Sequence, residues 1–309
     1  MTLDPVVAAM LAQNAEAGRP PTSSLSPMDA RAAYRAMQAP APELTLAKVE
    51  DRTLDGPDGA VGVRIYTPEG PGPFPIHVHY HGGGWVIGDL DTHDRDCRTL
   101  AREASCVVVA VDYRLAPEHP FPAAPEDCYA ATCWAADHAE SLGARPGPIT
   151  VGGDSAGGNL AAVVSLLAKA RGGPDIALQL LIYPVTDHDF TRPSYRENGE
   201  GYLLSTETMA WFWDLYCPES QRDDWRASPS KAESLAGLPE AVIITAQYDP
   251  LRDEGHAYGD ALRAAGVPVT VQCFEGMIHS FFSLAHMIPG AAGAVTMAVD
   301  ALRRAHGES

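Results

Sequence analysis

With 309 residues and 46% apolar side chains, the chain has ample material for one large core, which excludes disorder as its main state. Forty acidic against 22 basic residues give a formal charge of −18, a field that repels phosphate backbones and anionic lipid surfaces, so no nucleic acid partner is expected. Six cysteines (Cys97, Cys106, Cys128, Cys133, Cys217, Cys273) lack C-x-x-C spacing and read as reduced packing residues rather than a disulfide scaffold or zinc knuckle.

Residues 1–44 are Ala-rich with a helical period. They carry Asp4 and Glu16 but no basic residue before Arg19, so the charged start of a secretory signal is missing and a cytoplasmic location is expected. Beyond them, strands are predicted at Val61–Tyr66, Ile76–Tyr80, Val107–Val111, Ile149–Val151, Leu178–Tyr183, Val242–Thr245 and Val269–Phe274. Helices are predicted at Pro125–Ser141, Ala156–Ala170, Asp253–Ala265 and Gly290–Ala305. This alternation is that of an α/β fold with a mostly parallel central sheet. Residues 188–230 break it, with Tyr202, Leu203, Leu204, Trp211, Phe212, Trp213, Tyr216 and Trp225 between two strands. Such an apolar insertion covers something, either as an ordinary helical subdomain or as a lid over a ligand site. The uncharged stretch Ser280–Val299 is interrupted by His286, Pro289 and Gly290, which suits a strand-to-helix loop better than a bilayer span.

The chemistry concentrates where strands end. Gly153-Asp154-Ser155-Ala156-Gly157 lies between a strand and a helix, the context G-x-S-x-G requires: flanking glycines permit a sharp turn that lifts the hydroxyl above the sheet edge. The following helix aims its N-terminus at the same spot. A serine hydroxyl needs a base, and His279, just after the last strand, is better placed than His286 or His256. Asp249, after Val242–Thr245, is the orienting acid; Asp253 and Glu254 read instead as first-turn acids of the next helix. His81-Gly82-Gly83-Gly84-Trp85 ends another strand, and its bare amides suit a developing oxyanion. Gly83 and Gly84 are the expected donors with Ala156, while His81, Gly82 and Asp154 support them. The alternating His77, His79 and His81 offer a rival reading as a metal cluster. No carboxylate stands nearby in the sequence to complete it, so packing roles are preferred and no metal is expected.

These motifs resemble the hormone-sensitive-lipase family of α/β-hydrolases, in particular its bacterial carboxylesterases, over residues 45 to 305. The marks are HGGGW at 81–85, DYRLAPEHPFPAA at 112–124, GGDSAGGNLAA at 152–162, DPLRDEG at 249–255 and GMIHSF at 276–281. Ser280 departs from the family, in which many members have glycine after the histidine, and a minor effect on the loop is expected. The resemblance implies the α/β-hydrolase fold, with residues 1–44 and 188–230 forming a helical cap over a catalytic domain of residues 45–187 and 231–309. It implies Ser155, His279 and Asp249 as the catalytic triad and Gly83, Gly84 and Ala156 as the oxyanion hole, with no cofactor. Trp85, Tyr183, Leu204, Trp211 and Phe212 are the candidates for the substrate pocket.

The expected activity is that of a serine carboxylesterase acting on small-molecule esters with short to medium acyl chains, without stable membrane association. A homodimer is common among similar proteins. A ligand receptor built on the same fold is the alternative from another class; such proteins lack the histidine that His279 supplies here.

Overall fold

The computed structural model describes residues 2–37 and 44–307. Its framework is a sheet of eight strands: β1 (Lys48–Gly56), β2 (Gly59–Thr67), β3 (Ile76–Tyr80), β4 (Val107–Asp112), β5 (Ile149–Asp154), β6 (Ile176–Ile182), β7 (Glu240–Tyr248) and β8 (Val269–Ile278). Their order is β1-β2-β4-β3-β5-β6-β7-β8; the pairs β1–β2 and β2–β4 are antiparallel and the others parallel. Nine described helices accompany it: α1 (Pro5–Glu16), α2 (Pro27–Ala36), α3 (Asp94–Glu103), α4 (Ala123–Asp137), α5 (Ala156–Arg171), α6 (Pro193–Asn198), α7 (Thr206–Tyr216), α8 (Arg252–Ala264) and α9 (Ala292–Ala305).

Burial on both faces explains the continuous β-branched runs of the central strands. In β4, Val107, Val109 and Val111 face a core shared with α4, α5 and α8, whereas Val108 and Ala110 face the core under α1, α3 and α9. The edge hairpin β1–β2 was not predicted in full. β1 reads KVEDRTLDG, and only Leu54 is buried, so it lacks the apolar signal of its neighbours. α3 also escaped prediction: six of its ten residues are charged, and the stripe it buries, Cys97, Leu100 and Ala101, is short.

The N-terminal segment and the insertion sit on the carboxyl-edge loops of the sheet. The Asp4 amide donates to Gly276 O at 3.1 Å, while the Arg31 guanidinium of α2 donates to Val86 O at 2.7 Å and Ala116 O at 2.8 Å. Ser23 Oγ donates to Glu207 at 3.0 Å, joining the N-terminal segment to α7. Of the segment expected to begin the cap, residues 1 and 38–43 lie outside the described residues. No helix among those described is long and apolar enough to cross a membrane.

The loop after β4 is tied to α4 by one buried ion pair. Asp127, with no exposed surface, accepts from the Arg114 amide at 3.0 Å and from its guanidinium at 2.8 Å on each oxygen. Asp127→Ala leaves the partly exposed Arg114 with only Asp58, 3.6 Å away, and a loss of about 1.5–3 kcal/mol is expected, read as a lowered urea midpoint.

Candidate active site

β5 runs to Asp154 and α5 begins at Ala156, which leaves Ser155 alone on the turn with φ 55° and ψ −116°. A non-glycine residue held there costs roughly 1–3 kcal/mol, and neighbouring bonds must enforce it. The Ser155 amide donates to Ile182 O at 2.8 Å, and its carbonyl accepts from the Asn159 amide at 3.0 Å and the Val185 amide at 3.2 Å. The flanking glycines are required by contact: a Cβ on Gly153 would lie 2.1 Å from Tyr80 O, and one on Gly157 1.9 Å from it.

Ser155 Oγ stands 3.0 Å from His279 Nε2, and His279 Nδ1 stands 2.7 Å from Asp249 Oδ2, all three residues being buried. The Leu251 amide donates to Asp249 Oδ1 at 2.9 Å, which fixes the carboxylate. With Nδ1 donating to Asp249, the neutral imidazole presents a lone pair at Nε2 to the hydroxyl. The competing histidines lie elsewhere. His256 pairs with the Thr245 hydroxyl at 2.9 Å, and His286 borders a cavity of about 460 Å³ between α3 and α9 that none of Ser155, Asp249 and His279 lines. Asp253 and Glu254 do occupy the first turn of α8, but they bind the insertion. Asp253 accepts from the Ser194 amide at 2.9 Å; Glu254 accepts from the Thr186 amide at 2.8 Å and the Tyr195 hydroxyl at 3.2 Å. Ser280 holds φ 68°, a conformation in which glycine is at ease and serine is strained.

Gly83 and Gly84 adopt φ 114° and 57°, and the Gly83 carbonyl accepts from the amides of Val86 and Ile87 to close a tight turn. The amides of Gly83, Gly84 and Ala156 have no acceptor among the described residues. Beneath them, the Gly82 amide donates to Asp154 Oδ1 at 2.8 Å. The His81 ring stacks on Tyr113 at 4.3 Å, and the Tyr113 hydroxyl donates to His81 O at 2.8 Å. Burial keeps the His81 imidazole neutral, its pKa down at about 3. His79 is likewise depressed to about 4 by burial, and His77 pairs with Thr150 at 3.0 Å. Among the described residues no three metal-ligating side chains are grouped as a site.

The pocket candidates occupy different depths. The Tyr183 ring is 4.6 Å from that of His279, and Phe212 of α7 covers Gly84, where a Cβ would come within 2.2 Å of its ring. Trp211 packs on Phe212, and Leu204 is buried before α7. Trp85 is fully buried and stacks on Tyr216 at 4.0 Å, joining the glycine loop to the insertion. Sequence reasoning missed His93, whose ring faces Asp154, and Ser194 and Asn198, which bond to the Asp249 loop. A lone histidine in a polar stretch and a serine in an insertion carry no spacing signal.

Residues 77–283 match the family described as an α/β hydrolase fold. The chain is 46% identical to the carboxylic ester hydrolase LipN of Mycobacterium tuberculosis, over 98% of this chain and 83% of that protein. It is 37% identical to the ethyl acetate hydrolase of Pseudomonas putida, over 98% and 99% of the two chains. The crystal structure of a thermostable esterase from Pseudomonas putida matches with a TM-score of 0.95 at 39% identity, covering 99% of this chain and 98% of that one.

Two outcomes test the packing. Gly84→Ala drives a methyl into Phe212, so esterase activity is expected to fall about 100-fold; adding Phe212→Ala should restore at least about tenfold of it. Burial pushes the Glu254 carboxyl up to about 8, against the Thr186 amide, which favours its ionised form. The folded state therefore keeps a proton that the unfolded chain releases near its ordinary value of 4.5, and stability falls as pH rises from there to about 8. Chemical denaturation across that window should show the decline in the natural protein and a flatter profile in Glu254→Gln.

Proposed function

The chain belongs to the hormone-sensitive-lipase type of the α/β hydrolase fold family and is an ester hydrolase, and on that premise we propose that Ser155, His279 and Asp249 perform the reaction through an acyl-enzyme. The observation that carries the proposal is the buried relay from Ser155 Oγ to His279 at 3.0 Å and from His279 to Asp249 at 2.7 Å.

Ser155 Oγ attacks the ester carbonyl carbon as its proton passes to His279 Nε2. Asp249 holds the ring's orientation and stabilises the imidazolium that forms. The former carbonyl oxygen becomes an anion facing the amides of Gly83, Gly84 and Ala156, each donor worth on the order of 100- to 1000-fold in rate. Collapse expels the alcohol, which takes the proton from His279. Water then attacks the acyl-enzyme through the same base and releases the acid. No cofactor takes part.

The substrates of this reading are small esters with short to medium acyl chains. Phe212 and Trp211 of α7 lie over the glycine loop, and the N-terminal segment is fastened to α7 through Ser23 and Glu207. In this proposal the segments 1–44 and 188–230 act as one cap over the domain of residues 45–187 and 231–309. Tyr183, Leu204, Trp211 and Phe212, backed by Trp85, bound a pocket too confined for an emulsified fat.

An organophosphate should inactivate the protein with one adduct on Ser155, in the presence or absence of a chelator, and Ser155→Ala should be inert. Asp249→Asn should lower kcat by roughly 1000- to 10,000-fold. In a panel of esters, acyl chains of roughly four to eight carbons should be cleaved faster than long-chain triglyceride. An adduct elsewhere, or faster triglyceride cleavage, would overturn the corresponding part of the proposal.

A further inference from the structure

Gly82 precedes the oxyanion donors and Asp154 precedes the nucleophile, and one carboxylate oxygen ties the two segments together. Asp154 Oδ1 accepts from the Gly82 amide at 2.8 Å and lies 3.3 Å from His93 Nε2. His93, at the start of α3, is 2% exposed and Asp154 5%.

The other ring nitrogen defines the protonation state. Thr92 Oγ accepts from the Asp89 amide at 2.9 Å and stands 2.9 Å from Asp89 O and 3.0 Å from His93 Nδ1. With its single proton on Asp89 O, the hydroxyl oxygen is an acceptor for a hydrogen on Nδ1. Nε2 then faces Asp154 Oδ1. A lone pair there would face a carboxylate 3.3 Å away, whereas a proton makes the contact an ion pair. The Gly82 amide is shared: it donates to Asp154 Oδ1 at 2.8 Å and, more weakly, towards Nε2 at 3.3 Å, a bond the protonated ring gives up while the shorter one remains. Burial opposes both charges, yet the partners sustain each other: Asp154 and Asp96 lift His93 above its ordinary value, and His93 holds Asp154 down at about 2.

We propose that His93 is a positioning residue for ester hydrolysis: as an imidazolium it anchors Asp154 to the Thr92 turn, so that Asp154 holds Gly82, and with it the donors Gly83 and Gly84, in register with Ser155. The inference rests on the reading of Ser155 as nucleophile and Gly83 and Gly84 as oxyanion donors. Because those donors act on charge that develops in the transition state, a loosened loop lowers kcat and leaves KM largely alone.

The experiment measures kcat, KM and Tm for His93→Gln, His93→Asn, Thr92→Val and Ser155→Ala on one soluble ester. The Gln amide reaches the former Nε2 position and can donate to Asp154 but carries no charge, so kcat should fall by about threefold to tenfold, less than in the Asn variant. Asn falls one bond short, so kcat should drop about 30-fold with KM within about threefold. Thr92→Val, which removes the acceptor at Nδ1 and keeps the shape, should show a smaller loss of the same kind. Should His93→Asn fail to fold, Thr92→Val and His93→Gln carry the decision. Unchanged kcat in the Asn or Val variant, a loss expressed in KM, or a Gln variant as impaired as Asn overturns the assignment. An active Ser155→Ala would instead overturn the underlying mechanism, a separate outcome.

Discussion

The Tyr80 carbonyl at the end of β3 lies against the turn that carries Ser155, so closely that neither Gly153 nor Gly157 has room for a methyl group. This contact arises from parallel pairing: β3 and β5 are in register with Tyr80 opposite Gly153, so the segments that leave the two strands are neighbours. The glycine loop leaves β3, and Ser155 leaves β5. The proposed nucleophile and the proposed oxyanion donors are thus set side by side by sheet register before any side chain is chosen. Donors fixed by backbone packing need little reorganisation when charge develops, the condition under which such donors are most effective. The unfavourable φ of Ser155 persists because bonds on both sides of it over-determine the turn.

The insertion reaches the same centre from two directions. Ser194 Oγ of α6 donates to Pro250 O at 2.6 Å, and Asn198 Nδ2 donates to Asp249 O at 3.3 Å, so one short helix grips the loop that carries the acid. Phe212 of α7 meanwhile presses on Gly84. A segment that only roofed a pocket would vary independently of the chemistry beneath it. Here a change that reshapes α7 acts on the glycine loop as well, and one that shifts α6 acts on Asp249, so under the proposed mechanism substrate choice and turnover are mechanically linked.

The glycine loop and the strand–Ser155–helix turn were legible in the sequence because close backbone approach admits only glycine, and that demand leaves a spacing. Asp249 and His279 were legible as residues that come after β-branched runs, although β8 continues to Ile278, so His279 adjoins the strand directly rather than standing on a longer loop. β1 and α3 were hidden because exposed polar residues dominate them. Glu254 looked like a dipole-complementing acid and is instead a buried bridge to Thr186 and Tyr195, since helical position is local and burial is not. His93 was illegible for the same reason: its charged partner, Asp154, lies far away in sequence.

Four imidazoles, those of His77, His79, His81 and His93, are buried around this centre, and burial alone would make all of them neutral. Three are pushed down by it; His93 is raised because a carboxylate faces it. Local geometry therefore decides charge where bulk burial does not, and the same distinction of range reconciles a chain of charge −18 with the oxyanion site proposed here. Surface carboxylates beyond a screening length of roughly 8–10 Å contribute little at the reacting carbon, whereas amides and the α5 N-terminus act at bonding distance. In the proposed reaction, an acid product that leaves this centre loses those donors and meets only the repulsive surface field, so the charge that opposes an anion outside favours its departure and does not weaken the anion's stabilisation within.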